Sequence, residues 1–181
     1  MKSADAQNLP LLSYNGKIVV VTDPLRLWRV LQEIKHHRIA GFDTETRPVF
    51  VKGKRNKVAL LQLALPHKVF LIRLTHTGIP DVLVDYFEDE QQLKIGIAVR
   101  DDVKALQRLR RFTPQGFVEL TALTKAAGYT GEGIRSLTAQ ILGHRISKSA
   151  QTSNWEAPTL TEKQLRYAAT DAWVCLEMYR M

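Results

Sequence analysis

The sequence is poor in residues that would tie a small protein together covalently or hold a soft metal. Among 181 residues there is one cysteine, Cys175, which excludes an internal disulfide framework and a cysteine-rich zinc site. Five histidines, His36, His37, His67, His76 and His144, are scattered with no ligand spacing and read as surface or loop residues. Membrane-length apolar runs are missing too, since Val58 to Leu65 is already interrupted by Gln62. Residues Met1 to Pro10 are polar and lack the apolar centre of a signal peptide. We expect a flexible tail there, and a soluble, cytoplasmic protein with no membrane contact. Acidic residues are in deficit as well, 18 against 26 basic, for a net charge of +8.

What is present suits a single globular domain over residues 1–181. A chain of this length buries a substantial core without staples, and its 45% apolar and 24% charged content is ordinary for such a domain. The charge surplus either keeps the protein soluble or draws it to a polyanion. Two clusters favour the polyanion. Lys52-Gly53-Lys54-Arg55-Asn56-Lys57 falls between two strand-like segments, where a mobile loop would reach phosphates. Arg108-Leu109-Arg110-Arg111 ends a helical pattern, where cations also offset the helix dipole.

Strand and helix patterns alternate along the chain without repeats or low-complexity linkers. Strands are expected over Lys17–Thr22, Ile39–Thr44, Lys57–Leu65, Lys68–Leu74, Leu93–Ala98 and Phe117–Leu120. Pro66-His67 reads as a hairpin turn. Helices are expected after Asp23-Pro24, over Asp81–Phe87 and Asp101–Arg111, around Leu120–Ala127, and over Ile134–Leu142 and Thr161–Tyr179. This order predicts an α/β architecture with an early antiparallel hairpin and later parallel crossovers.

Three short segments carry the chemistry. Phe42-Asp43-Thr44-Glu45-Thr46 puts two carboxylates two residues apart, on one face of a strand. Tyr167-Ala168-Ala169-Thr170-Asp171 puts a phenol and a carboxylate four apart, on one face of a helix. Asp101-Asp102 lies where a strand hands over to a helix, and strand ends are where such folds place sites. Brought together, these carboxylates would repel one another unless cations neutralised them. An all-oxygen set selects hard ions such as Mg²⁺ or Mn²⁺. Two such ions about 4 Å apart suit phosphodiester cleavage.

Each segment alone has a plainer reading. Asp-x-Glu is often a solvated turn, Asp101-Asp102 an N-cap pair, and Tyr167 with Asp171 a packing residue beside a surface charge. Either aspartate of the pair could be the functional one. Asp102 is preferred because Val103 and Leu106, one and four positions on, then bury the helix face behind it, leaving Asp101 as the cap.

Taken in order, the segments resemble the motifs of the DEDD superfamily of 3′–5′ exonucleases, in its tyrosine-bearing DEDDy branch. Phe42 to Thr46 is similar to the first motif, Lys94 to Leu106 to the second, and Tyr167 to Ala172 to the third. Lys148 to Glu156 resembles the stretch before the third motif in ribonuclease D and Werner-type exonucleases. The match covers about Lys17 to Tyr179. It implies a ribonuclease-H-like three-layer fold, with a mixed five- to six-stranded sheet flanked by helices.

The resemblance also implies two divalent cations, Mg²⁺ or Mn²⁺. Asp43 would touch both. Glu45 and Asp171 would complete the site that activates water, and Asp102 would hold the second ion, through water. Tyr167 would orient the attacking water. The implied partner is a nucleic acid with a 3′ end, single-stranded or frayed, cut to nucleoside 5′-monophosphates. DNA and RNA stay equally open. Thr46 and Val49 resemble the stretch that lies against the terminal nucleotide, with Pro48 and Val49 as an apolar wedge. Trp155 reads as a packing anchor more than a stacking platform, and Cys175 as a small buried residue. Two rivals remain: a catalytically inactive nucleic-acid-binding module of the same fold, and a metal phosphatase acting on small phosphates.

Overall fold

The computed structural model describes residues 6–181. Six strands form one mixed sheet in the order β1-β4-β3-β2-β5-β6. They are β1 (Lys17–Val21), β2 (Ile39–Thr46), β3 (Val58–Leu65), β4 (Lys68–Arg73), β5 (Leu93–Gly96) and β6 (Phe117–Glu119). Strand β3 pairs antiparallel with β2 and β4, and the remaining pairs are parallel. The helices are α1 (Pro24–Ile34), α2 (Leu74–Thr77), α3 (Asp81–Phe87), α4 (Val99–Leu109), α5 (Leu120–Ala126), α6 (Ile134–Leu142) and α7 (Glu162–Tyr179). This is the expected α/β arrangement of a six-stranded mixed sheet flanked by helices.

Strand periodicity sorts the chain into layers. On one face, Ala40 and Phe42 of β2 and Leu61 and Leu63 of β3 pack with Leu27 and Leu31 of α1, and with Val103 and Leu106 of α4. On the other face, Leu60 and Ala64 of β3 pack with Ala168, Ala169 and Ala172 of α7. Strand β3 is buried along its whole length because it is covered on both sides. Beside it on the α7 face, Ile95, Leu137, Val174 and Cys175 complete the core.

The helix starts have local causes. Asp23 caps α1 by accepting from the Arg26 amide, with Pro24 opening the helix. Thr161 caps α7 in a reciprocal capping box with Gln164. Helix α4 starts differently, because Ala98 sits in the left-handed region with φ 57° and offers no side-chain cap. The Glu119 carboxylate at the end of β6 accepts from the Val99 amide at 3.0 Å instead.

Several boundaries differ from expectation. Strand β5 ends at Gly96 and α4 begins at Val99, because the left-handed Ala98 turns the chain two residues sooner than apolar content implies. Asp101 and Asp102 therefore both lie inside the first turn of α4, and Asp101 is not the cap. Leu74 opens the short helix α2, which the sequence pattern did not announce, rather than extending β4. Of the segment 1–10 expected as a flexible tail, residues 1–5 lie outside the described residues. Leu9 and Pro10 offer carbonyls to the Arg145 side chain and amide at 3.0 Å each. Arg166 then holds the carbonyls of Tyr14 and Gly16 against α7.

One contact sets the distance between sheet and helix. A Cβ on Gly41 would lie 2.0 Å from the Ala172 carbonyl oxygen, so only glycine lets β2 and α7 come this close. Gly41→Ala should lower stability by about 1–3 kcal/mol through overpacking. Chemical denaturation would check this, and an unchanged midpoint would show that the two elements have room to part.

Candidate metal centre

Asp43 and Glu45 are odd-numbered positions of β2, like Gly41, so their side chains fall on the face covered by α7. There α7 presents Asp171. Ligand oxygens of Asp43, Glu45 and Asp171 lie within 4.8 Å of one another, close enough for one cation to touch all three. Asp102 arrives from the opposite layer, on α4. Thr44, the even-numbered residue between the two β2 carboxylates, turns to that side and donates its hydroxyl to Asp102 Oδ1 at 2.7 Å. The β2 segment thus hands carboxylates to one face and a positioning hydroxyl to the other. Asp101 is exposed.

Burial, reinforced at Asp43 and Glu45 by neighbouring carboxylates, governs the electrostatics. Burial, then Glu45, Asp171 and Asp102, hold the Asp43 carboxyl well above the usual range, against one hydrogen bond from the Thr44 amide at 2.9 Å. Burial and the Asp171 and Asp102 charges push Glu45 up to about 9, although Gln62 hydrogen-bonds to it. Burial raises Asp102 to about 7, opposed by the Thr44 hydroxyl. It raises Asp171 to about 7 as well, opposed by hydrogen bonding from Tyr167 and by the Arg135 charge. The Tyr167 phenol is itself pushed up by burial and the adjoining carboxylates, so it stays a donor at neutral pH.

An all-carboxylate set this repelled fits hard divalent cations, whose charge removes the repulsion. No thiol or imidazole intrudes. The Cys175 thiol is buried, with burial pushing its pKa up, and it donates to the Asp171 carbonyl at 3.3 Å. The five histidines all lie outside the group.

Supporting residues that the sequence reading passed over surround the group. Gln62 is fully buried opposite Asp43 in the β2–β3 ladder and donates to the Ala168 carbonyl at 3.4 Å. Its signal was available, as the one polar residue in the apolar run of β3. Glu119 and Arg135 gave no local signal, since they approach only through tertiary packing. Trp155 is buried with its ring 5.9 Å from that of Tyr167, and its indole donates to the Gln151 carbonyl at 3.3 Å. It is the packing anchor expected. Thr46 is exposed at the end of β2, Pro48 and Val49 are half-buried beyond it, and Lys148 is exposed.

A family model described as 3′–5′ exonuclease matches residues 18–181. The chain belongs to the 3′–5′ exonuclease family. It is similar to the Exonuclease 3′-5′ domain-containing protein 2 of Drosophila melanogaster, with 36% identity over 88% of this chain. It is also similar to the bifunctional 3′-5′ exonuclease/ATP-dependent helicase WRN of Mus musculus, with 31% identity over 99% of this chain. The chain spans 28% and 14% of those two relatives' lengths. In fold it is similar to the Nibbler EXO domain of Aedes aegypti, with TM-score 0.84 and 23% identity. That likeness covers 93% of this chain and 89% of the other. The ribonuclease-H-like sheet shared by such exonuclease domains is the fold that the motif resemblance implied.

The carboxylates make stability depend on pH with a definite sign. Their raised pKa values mean that the folded protein binds these protons more tightly than the unfolded chain. Without divalent cations, that stability is complete below the ordinary carboxylate range. It is lost as pH rises through about 7 for Asp102 and Asp171 and about 9 for Glu45. In chelator, the melting temperature should fall between mildly acidic and mildly alkaline pH, and Mg²⁺ or Mn²⁺ should restore most of the loss. A melting temperature that rises with pH in chelator would contradict this.

Proposed function

We propose that this chain is a metal-dependent 3′–5′ exonuclease domain. It removes nucleotides from the 3′ end of a single-stranded or frayed nucleic acid and releases nucleoside 5′-monophosphates. The observation that carries this reading is the convergence of Asp43, Glu45 and Asp171 from two elements, with Asp102 steered towards them by Thr44. Among its structural neighbours, the ribonuclease D of Trypanosoma brucei is described in complex with RNA U12, and the EXD2 exonuclease domain as soaked in Mn. DNA and RNA both remain substrates in this proposal.

Asp43, Glu45 and Asp171 would hold one cation, and Asp102 with Asp43 a second, both Mg²⁺ or Mn²⁺. Bound there, the pair supplies Lewis acidity, lowering the pKa of an attacking water and neutralising charge on the leaving oxygen. The chain's own residues do the positioning. Tyr167, protonated at neutral pH, donates to Asp171, and its hydroxyl would orient the water. The buried Trp155 ring, 5.9 Å from that of Tyr167, would help hold the phenol in place. Thr46 and Val49, beyond the β2 carboxylates, would lie against the terminal nucleotide, with Pro48 as part of the wedge. The basic body steers the polyanion to an acidic centre that would repel it without bound cations.

A 5′-labelled oligonucleotide incubated with Mg²⁺ or Mn²⁺ should give a stepwise ladder, while a 3′-label should appear at once as mononucleotide. Asp43→Ala should lower the rate by about a thousandfold, on the order of 4 kcal/mol. No cleavage by the unaltered protein, or equal cleavage by the variant, would sink the reading and leave an inactive binding module. The adjacent aspartates provide a separate check. Asp102→Ala should lose about a hundredfold or more, on the order of 3 kcal/mol, and Asp101→Ala only a few-fold. The reverse order would reassign the second-motif carboxylate.

A further inference from the structure

The connection from β2 to β3 is built as a presented loop. Residues 47–57 carry Arg47, Lys52, Lys54, Arg55 and Lys57 and no acidic side chain. Its neck is closed, because Thr46 pairs with Val58 and the Asn56 side-chain amide donates to the carbonyls of Arg47 at 2.9 Å and Pro48 at 3.4 Å. Its tip is a tight turn, where the Lys54 amide donates to the Val51 carbonyl at 3.2 Å and Gly53 takes φ +82°. Between neck and tip the loop displays an apolar pair outward: Phe50 is 87% exposed and Val51 58%. Among the described residues, Phe50 makes no ring contact and no cation–π contact, and the five cations make no ion pair.

An aromatic ring held in water among cations is poorly placed for core packing and well placed for an anion with flat apolar faces. An unpaired nucleic-acid strand has that chemistry, with phosphates for lysines and the π-face of a base for the ring. Position favours it further. Phe50 lies five residues beyond Glu45, hence no more than about 18 Å from it along the chain. A stacked strand rises about 3.4 Å per nucleotide, so the ring falls within about five nucleotides of the scissile bond. A lipid surface would also accept an apolar tip ringed by cations, but two exposed residues offer it little area, and nothing about a membrane requires the loop to spring from the carboxylate cluster.

We propose that the 47–57 loop is a stacking clamp on the unpaired strand a few nucleotides upstream of the scissile phosphate. Phe50 lies against a base, and Lys52, Lys54, Arg55 and Lys57 lie against the backbone. This rests on the exonuclease reading for the placement of the strand. It differs from the terminal-nucleotide contacts of Thr46 and Val49 in requiring several nucleotides of substrate.

The test measures binding and turnover separately. Fluorescence anisotropy with a labelled oligothymidylate of about a dozen nucleotides, in chelator, reads the clamp without catalysis. Phe50→Ala should weaken binding about tenfold, Phe50→Trp should restore it to within about twofold, and Phe50→Leu should not. Lys52→Gln with Lys54→Gln should flatten the salt dependence of binding by about one unit of slope. With Mg²⁺ present, Phe50→Ala should raise KM for the long oligonucleotide at least about fivefold more than KM for a dinucleotide.

Binding that is unchanged in Phe50→Ala, or restored equally by leucine, would overturn the clamp. So would a KM rise of equal size on both substrates. Loss of binding to phosphatidylserine vesicles with oligonucleotide binding intact would overturn it in favour of a lipid surface. The unaltered protein binding the oligonucleotide through Phe50 but hydrolysing nothing would remove the exonuclease reading while leaving the clamp in place.

Discussion

The close approach of α7 to β2 at Gly41 is the constraint on which the site depends. With no Cβ in the way, the Ala172 carbonyl rests against the strand, and Asp171, one residue earlier, is carried to the Asp43 and Glu45 side chains. The alanines of α7 serve the same end. Ala168, Ala169 and Ala172 are all fully buried against the sheet, and small side chains keep the helix near along the face that bears the acidic group. Larger residues there would bury more apolar area and open the cluster, so packing and chemistry are fixed by the same positions.

That closeness leaves the metal-free protein electrostatically frustrated. Glu45 and Asp171 are buried and Asp43 and Asp102 half-buried, with all four pKa values driven upward by burial, and those of Asp43 and Glu45 also by the neighbouring carboxylates. The fold offsets part of this with neutral donors: the Thr44 amide and hydroxyl, the Gln62 side chain and the Tyr167 phenol. None of these cancels a charge. The remainder is what a divalent cation would relieve, which ties a cost in stability to the capacity to bind metal.

Much of the fold was legible because the two periodicities are clean. The apolar positions of α1 recur at helical spacing behind the Asp23-Pro24 start, and β3 and β4 are joined at Pro66-His67 as the hairpin pattern indicated. Errors gathered where a backbone conformation or a distant partner decides. Ala98 adopts a left-handed conformation that its side chain does not advertise, so the β5–α4 boundary moved and Asp101 lost its capping role. Lys94 is fully buried in β5 between the rings of Tyr86 and Phe117, donating to the Tyr86 and Asp89 carbonyls, and burial brings its pKa down to about 8. A lysine in a short apolar strand carries no mark of such partners.

The sequence by itself determined the order of the acidic segments and their local faces. Alternation along a strand puts Asp43 and Glu45 on one side, and a helical turn puts Tyr167 above Asp171, whatever surrounds them. It also determined the charge contrast between these segments and a basic body. Tertiary structure alone decided which face of β2 meets α7, and that Asp102 reaches the group from the opposite layer through Thr44 while its neighbour Asp101 faces solvent. It alone left Phe50 bare in the loop that follows β2. Those outcomes depend on distances between residues far apart in the chain, and local spacing holds no information about such distances.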